Sequence, residues 1–315
     1  MRVLVTGAAG FVGSNIVDQL LTDGFSVRGI DDFNEFYDPK IKWRNLTDAQ
    51  LSPKFELVNG DLNSISDLRS LIEDVDYIFH QAGQPGVRSS WGTEFGNYLQ
   101  DNVLGTQRLL EACKSVNSIQ KIIYASSSSV YGSAESSLTS ENQIPKPLSP
   151  YGITKLAAEH LCSAYASQFG LPIVSLRYFT VYGPRQRPDM AIHRLLTCAR
   201  EGTEFTLWGD GSFERDFTFI GDVVNANILA AKGVTKPGEV FNVGGGNPIR
   251  MKNLIELIQE ISGSVLNIQF SDNQPGDPAS TSADSSRIHK VLGWQKTTML
   301  DEGLRAQFAA MNIIG

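Results

Sequence analysis

The chain has 315 residues, of which 41% are hydrophobic and 19% charged, and its formal net charge is −7. That length suits one large domain or two intimately joined ones, and the acidic balance argues against nonspecific binding to nucleic acid or anionic membrane. No apolar run approaches the ~20 residues needed to span a bilayer, and Cys113, Cys162 and Cys198 are too scattered for a disulfide frame or zinc site.

The cysteines read instead as small buried apolar residues, and the four histidines share no metal-ligand spacing, so no metal is expected. His80, at a predicted strand end, reads as a packing or hydrogen-bonding residue. The sequence enters a strand at once, with no signal peptide before it, and a reducing cytoplasm is the expected location.

Met1–Thr6 is a short β-branched run that enters the turn Gly7-Ala-Ala-Gly10-Phe11-Val12-Gly13. Ile16, Val17, Leu20 and Leu21 then recur at helical spacing, until Asp23-Gly24 supplies a stop signal. Gly7 suits the sharp turn, Gly10 lets backbone approach a pyrophosphate, and Gly13 lets helix pack on strand. A second strand, Ser26–Ile30, ends at Asp31, where a carboxylate would hold the ribose hydroxyls of NAD and repel the extra phosphate of NADP.

Further strands are predicted at Phe55–Asn59, Tyr77–His80, Lys121–Ser126 and Ile173–Arg177. Helices are predicted at Ile65–Glu73, Asn102–Val116 and Pro150–Phe169. This alternation implies an α/β fold, a doubly wound parallel Rossmann sheet. The helix at Pro150–Phe169 has Ser149 as N-cap, Pro150 at its first position and Gly170 beyond its end. Leu156, Ala157, His160, Leu161 and Ala164 form its predicted buried stripe. After Tyr182 the alternation weakens. A basic loop with Arg185 and Arg187 precedes a helix at Met190–Glu201, a turn at Trp208–Ser212, a strand at Arg215–Ile220, and helices at Asp222–Ala231 and Met251–Ser262. We read residues 1–180 as the dinucleotide domain and 181–315 as mainly a smaller α/β substrate domain, with a return to the sheet within 217–245.

Tyr151 and Lys155 lie four apart and share a helix face. A phenol with its usual pKa of about 10 is a poor base at neutral pH, and a nearby ammonium should lower it. The hydroxyl run Ser126–Ser129 lies upstream, and with it the pair can take a proton from an alcohol.

The ordered set Thr6-Gly7-x-x-Gly10-x-x-Gly13, Gly60-Asp61, His80-Gln-Ala-Gly83, Asn102-Val-x-Gly105-Thr106, Tyr151-x-x-x-Lys155, Arg177-Tyr-Phe-Thr180 and Arg215-Asp216-Phe217 covers essentially the whole chain. It resembles the extended short-chain dehydrogenases/reductases of the nucleotide-sugar epimerase/dehydratase family. The resemblance implies NAD held by the Gly7–Gly13 turn with Phe11 and Val12, by Asp31, Asp61 and Leu62, by Ala82, Gly83 and Asn102, and by Tyr151, Lys155 and Tyr178. It implies a UDP-sugar held by Arg88, Ser127, Ser128, Thr180, Arg187, Arg215, Gln274 and Asp277, with Ser127, Ser128, Tyr151 and Lys155 as the catalytic set. It also implies a homodimer built on the helices near 102–116 and 150–169.

Ser128 and Ser129 stand where the family's 4,6-dehydratases carry Asp-Glu, so the acid and base that expel water are missing. The run Thr180–Ala191 resembles the same loop of UDP-glucuronate 4-epimerases, in which the residue matching Arg187 meets the sugar carboxylate. The implied reaction is C4 epimerisation of UDP-glucuronate to UDP-galacturonate through a 4-keto sugar. UDP-glucose epimerisation, UDP-glucuronate decarboxylation and a non-catalytic NAD-binding regulator remain the alternatives.

Overall fold

Apolar strands alternate with amphipathic helices from the first residue, and the fold follows from burying both faces of the resulting sheet. A computed structural model describes residues 1–133, 138–272, 276, 278 and 280–314. In chain order the strands are β1 (Arg2–Thr6), β2 (Ser26–Asp31), β3 (Phe55–Asn59), β4 (Tyr77–His80), β5 (Lys121–Ser127), β6 (Ile173–Tyr178) and β7 (Thr180–Tyr182). They continue as β8 (Glu204–Trp208), β9 (Glu214–Arg215), β10 (Phe217–Phe219), β11 (Glu239–Val243), β12 (Ile249–Arg250) and β13 (Asn267–Ser271).

Seven of these make a parallel sheet in the order β11-β6-β5-β4-β1-β2-β3. Strand β1 pairs with β2 on one side and β4 on the other, so the winding direction reverses at its C-terminal end. A crevice opens at such a reversal in open α/β sheets. Successive side chains of β1 feed opposite cores. Val3 and Val5 pack with Ile16, Val17 and Leu20 of the helix Phe11–Thr22 and with Val223 and Val224 of the helix Ile220–Lys232. Leu4 packs with Ile78, Ile122, Leu109, Leu110 and Cys162. Each such fully buried aliphatic side chain contributes about 1.5–3 kcal/mol.

Beyond Tyr182 the chain builds a third core. Ile192, Leu195 and Leu196 pack against Phe205 and Leu207 of β8 and against Leu254 and Ile258 of the helix Met251–Ser262. It re-enters the main sheet as β11, beside β6.

Several sequence expectations need correction. Residues 65–73 form no α-helix, only a 3₁₀ turn at Arg69–Leu71. The Asp67 carboxylate accepts from the Ser70 amide, and the Ser70 hydroxyl donates to the Asp67 carbonyl, which diverts the backbone from helical bonding. The helix expected from Asn102 begins earlier, at Phe95, widens to a π-turn over Leu99–Leu104, and ends at Cys113. The strand expected at Arg215–Ile220 breaks at Asp216, whose carboxylate accepts from the Gly246 and Ala283 amides. Cys198 is only half-buried.

The helix Pro150–Phe169 has the expected ends: Ser149 accepts from the Gly152 amide and Gly170 takes a left-handed conformation. Its buried face differs, however. His160 and Ala164 are exposed, whereas Lys155, Ala158, Glu159, Cys162 and Ala166 are buried. Hydrophobicity alone could not place Glu159 inside. It is there because Arg177 Nε and Nη2 donate to it at 2.9 and 2.5 Å and the Ser126 hydroxyl donates at 2.6 Å. Among the described residues no helix is long and apolar enough to cross a membrane.

The Glu159–Arg177 pair yields a stability test. Arg177→Met strands a buried carboxylate and should cost about 3–5 kcal/mol in urea unfolding, while Arg177→Met with Glu159→Leu should recover much of that loss. Equal destabilisation of the single and double variants would refute the assignment.

A candidate active site at the sheet reversal

The cleft at the C-terminal ends of β1, β2, β4, β5 and β6 has a volume of about 1090 Å³. One end is shaped by the first glycine turn. Gly7 has φ +65°, and a Cβ there would lie 2.8 Å from the Ala82 nitrogen. A Cβ on Gly13 would lie 2.0 Å from the Gly7 carbonyl oxygen, so no larger residue fits between turn and helix. The helix Phe11–Thr22 starts at Gly10 without a side-chain cap, and Gly10, Phe11, Val12 and Gly13 all line the cleft. Its first amides have no side-chain cap and so suit an anion.

Asp31 closes this end. Its carboxylate accepts from the Ala9 and Phe33 amides, each at 2.9 Å, and Lys42 Nζ lies 3.9 Å away. Burial pushes the carboxyl up, opposed by Lys42 and the two amides; burial pushes Lys42 down, opposed by Asp31 and Asp32. Lys42 was not foreseen, because nothing local marks it. It lies on the short helix Pro39–Asn45, and Asn34 orients it through a 2.8 Å hydrogen bond. Asp61, Leu62, Ala82 and Gly83 line the same end. So does Asp101, whose carboxyl is pushed up to about 6 by burial and by the charges of Asp32 and Asp61.

Asn102 stands behind this wall and is not part of its lining. It donates to the Gln84 carbonyl and the Thr154 hydroxyl, and a Cβ on Gly83 would meet its Oδ1 at 2.6 Å. His80 is likewise internal, bridging the Thr6 and Thr106 hydroxyls at 2.7 and 2.9 Å.

At the middle of the cleft, Ser127, Ser128, Tyr151, Lys155, Tyr178 and Thr180 come together. Ser127 accepts from the Ser129 amide, and its hydroxyl shares the cleft with the Tyr151 phenol, on which it acts as a downward influence. The Tyr98 ring meets Tyr151 edge-on at 6.2 Å and is itself tied to Ser89 and the Pro85 carbonyl. Tyr178 donates to Gln81 and Asn227. Tyr98 and Asn227 carry no local signal and reach the site through folding alone, whereas Gln81 lies within the His80-Gln-Ala-Gly83 motif.

The expected lowering of the phenol is not observed. Burial pushes Tyr151 up, and the opposing influences are Ser127 and Arg187. Lys155 Nζ instead donates to the Ala125 carbonyl at 2.9 Å, and burial pushes it down to about 8.

The far end holds Arg88, Arg187, Arg194 and Arg215 with Phe205, Trp208 and Phe213. The Arg88 guanidinium stacks on Trp208 at 3.8 Å, and Arg194 lies 5.0 Å from the same ring. Arg215 does not pair with Asp216; it donates to the Glu214 carbonyl and lies over Phe213. Arg187 is paired to Asp189. Gln274 and Asp277 lie outside the described residues.

Residues 3–244 match the model of the NAD dependent epimerase/dehydratase family. The chain is 46% identical to an uncharacterized UDP-glucose epimerase, YtcB, of Bacillus subtilis, covering 99% of this chain and 98% of that protein. It is 35% identical to a UDP-glucuronate 4-epimerase of Thermodesulfobacterium geofontis, over 96% of this chain and 93% of the other. The crystal structure of a UDP-glucuronic acid 4-epimerase from Bacillus cereus, in complex with UDP-glucuronic acid and NAD, superposes with a TM-score of 0.96 at 42% identity, covering all of both chains.

His80 gives a pH test at the base of the site. Burial and Lys155 push its imidazole down to about 3, so between there and about 6.5 the unfolded chain binds a proton that the folded chain refuses. That contribution to stability is present above the window and lost as pH falls through it. The urea midpoint of the wild type should therefore drop more steeply from about pH 7 to about pH 4 than that of His80→Gln. Parallel curves would show an ordinary imidazole.

Proposed function

The chain belongs to the NAD dependent epimerase/dehydratase family, and we propose that it inverts C4 of UDP-glucuronate to give UDP-galacturonate. One observation carries this reading: Ser127, the Tyr151 phenol and the Arg187 guanidinium line one cleft, with the phenol within the electrostatic reach of Arg187. A proton-transfer group and a carboxylate-matching fork thus face one sugar-sized space.

NAD fits the turn end. Gly7 and Gly13 leave no room for a Cβ and one on Gly10 would crowd the Gly7 carbonyl oxygen at 3.2 Å, the helix start is uncapped, and Asp31 with Lys42 offers an acceptor and a donor for ribose hydroxyls. When bound, NAD supplies a hydride acceptor and donor at C4 and a positive charge that favours the phenolate. The remaining work belongs to the chain. Tyr151 takes the proton of the 4-hydroxyl as that oxygen becomes a carbonyl, and returns it to the same oxygen after the sugar has turned over. Ser127 donates to the phenolate, and Lys155 adds a positive charge and a ribose contact. Ser128 and Ser129 supply no carboxyl group for expelling water.

The 4-keto uronate is a β-keto acid and loses CO₂ when the breaking carbon–carbon bond stands perpendicular to the carbonyl plane. Arg187, with the hydroxyls of Ser127, Ser128 and Thr180, holds the carboxylate out of that geometry. The second reading, epimerisation of UDP-glucose, is favoured by the Bacillus subtilis relative and by the existing partner of Arg187. A homodimer is proposed on the exposed Leu99, Leu104, Ile153 and Phe169 of the two long helices. A cytoplasmic location is proposed on the three free cysteines.

Three outcomes are expected. NMR of reactions with UDP-glucuronate, UDP-glucose and UDP-N-acetylglucosamine should find UDP-galacturonate as the main product; turnover of neutral sugars alone would reject the substrate. Tyr151→Phe should lose about 10²–10⁴-fold in kcat and still bind the uronate. Arg187→Ala should weaken uronate binding and release CO₂ with a pentose product; unchanged affinity with no added CO₂ would remove Arg187 from this role.

A further inference from the structure

The Arg187 fork already holds a carboxylate. Nε donates to Oδ1 of Asp189 and Nη2 to Oδ2, each at 3.0 Å, which is the bidentate geometry of a matched guanidinium–carboxylate pair. The two residues flank Pro188, whose ring fixes its backbone angle and holds the short arc that brings them together. Both line the cleft. Arg187 is the more enclosed partner, with 18% of its side chain accessible against 40% for Asp189, and its guanidinium lies 5.9 Å from the Phe36 ring centroid. The pair faces the phenols around the sugar-sized space: Arg187 pulls down Tyr37, Tyr98 and Tyr151, while Asp189 pushes up the first two.

A sugar carboxylate and the Asp189 carboxylate are the same chemical class and suit the same planar edge of the fork. We propose that Asp189 is a specificity-determining residue, an internal carboxylate that occupies Arg187 until a substrate carboxylate displaces it. This deepens the proposed function and rests on Arg187 as the ligand of the sugar carboxylate. A uronate exchanges one carboxylate for another, so the new pair forms at the expense of the old one, and the released Asp189 returns to water. A neutral hexose leaves the Arg187–Asp189 pair intact, and no enclosed guanidinium is left without a counter-charge. Asp189 therefore weakens the uronate and spares the neutral sugar, and both effects narrow the preference between them.

The test is binding, which separates it from turnover. In a Tyr151→Phe background, dissociation constants for UDP-glucuronate and UDP-glucose are measured by calorimetry with Asp189 intact and with Asp189→Asn, Asp189→Ser and Asp189→Glu. Removing the carboxylate as Asn or Ser should shift the ratio of the two constants toward the uronate by about tenfold or more. Asp189→Glu should keep the original ratio. An unchanged ratio, or a shift toward UDP-glucose, overturns the proposal and makes Asp189 a support that aims Arg187. Failure of both charge-removing variants to fold makes it a structural residue and also overturns it. The proposed function fails on different evidence, the product spectrum of the protein with Tyr151 present.

Discussion

The site depends on a buried ion pair that never meets the cleft. Glu159 and Arg177 join the helix that carries Tyr151 and Lys155 to β5 and β6, since Glu159 also accepts from Ser126. Arg177 then donates to the Tyr131 hydroxyl, which donates to Asn242 on β11. Two charges this enclosed hold together only with satisfied hydrogen bonds, and the network supplies them. Ser126 precedes Ser127 in β5, so the same bonds fix where the proposed catalytic hydroxyl stands relative to the phenol.

Around that anchor the cleft works by opposing burial with charge. Burial is the largest influence on both groups, pushing the Tyr151 phenol up and the Lys155 ammonium down. Ser127 and Arg187 pull the phenol the other way, so the groups proposed to take the proton and to read the sugar are electrostatically linked. Asp31 and Lys42 repeat the arrangement at the cofactor end, each suppressing the cost of enclosing the other. Charged pairs of opposite sign thus stand at both ends of the cleft, Asp31 with Lys42 buried and Arg187 with Asp189 more open to water.

What the sequence revealed was local, and what it hid was distant. The strand, glycine turn and helix at Met1–Thr22 were legible because Gly7, Gly10, Gly13 and Asp31 act at fixed spacing. The ends of the helix Pro150–Phe169 were legible because Ser149 and Gly170 are caps. Glu159 was hidden because its partners lie 18 and 33 residues away. Lys42 and Tyr98 were hidden because their partners Asn34, Asp31, Ser89 and Pro85 sit across irregular loops at no recognisable spacing. The missing helix at 65–73 was hidden because Asp67 and Ser70 compete with the backbone, an effect that apolar spacing does not register. The phenol of Tyr151 was misjudged because spacing fixed the distance to Lys155 and not the direction of its ammonium.

The pairing of β6 with both its neighbours makes the sheet edge a ruler. Tyr178 is level with Ser127 of β5 and with Val243 of β11, and Thr180 follows two residues on. A slip of one residue along β6 would turn Tyr178 to the opposite face and replace it by Phe179. It would separate the Tyr178 hydroxyl from Gln81 and Asn227 and, in the same step, misplace Thr180. Tyr178 closes β6 and Thr180 opens β7 two residues later, so neither position in the cleft can drift without the other.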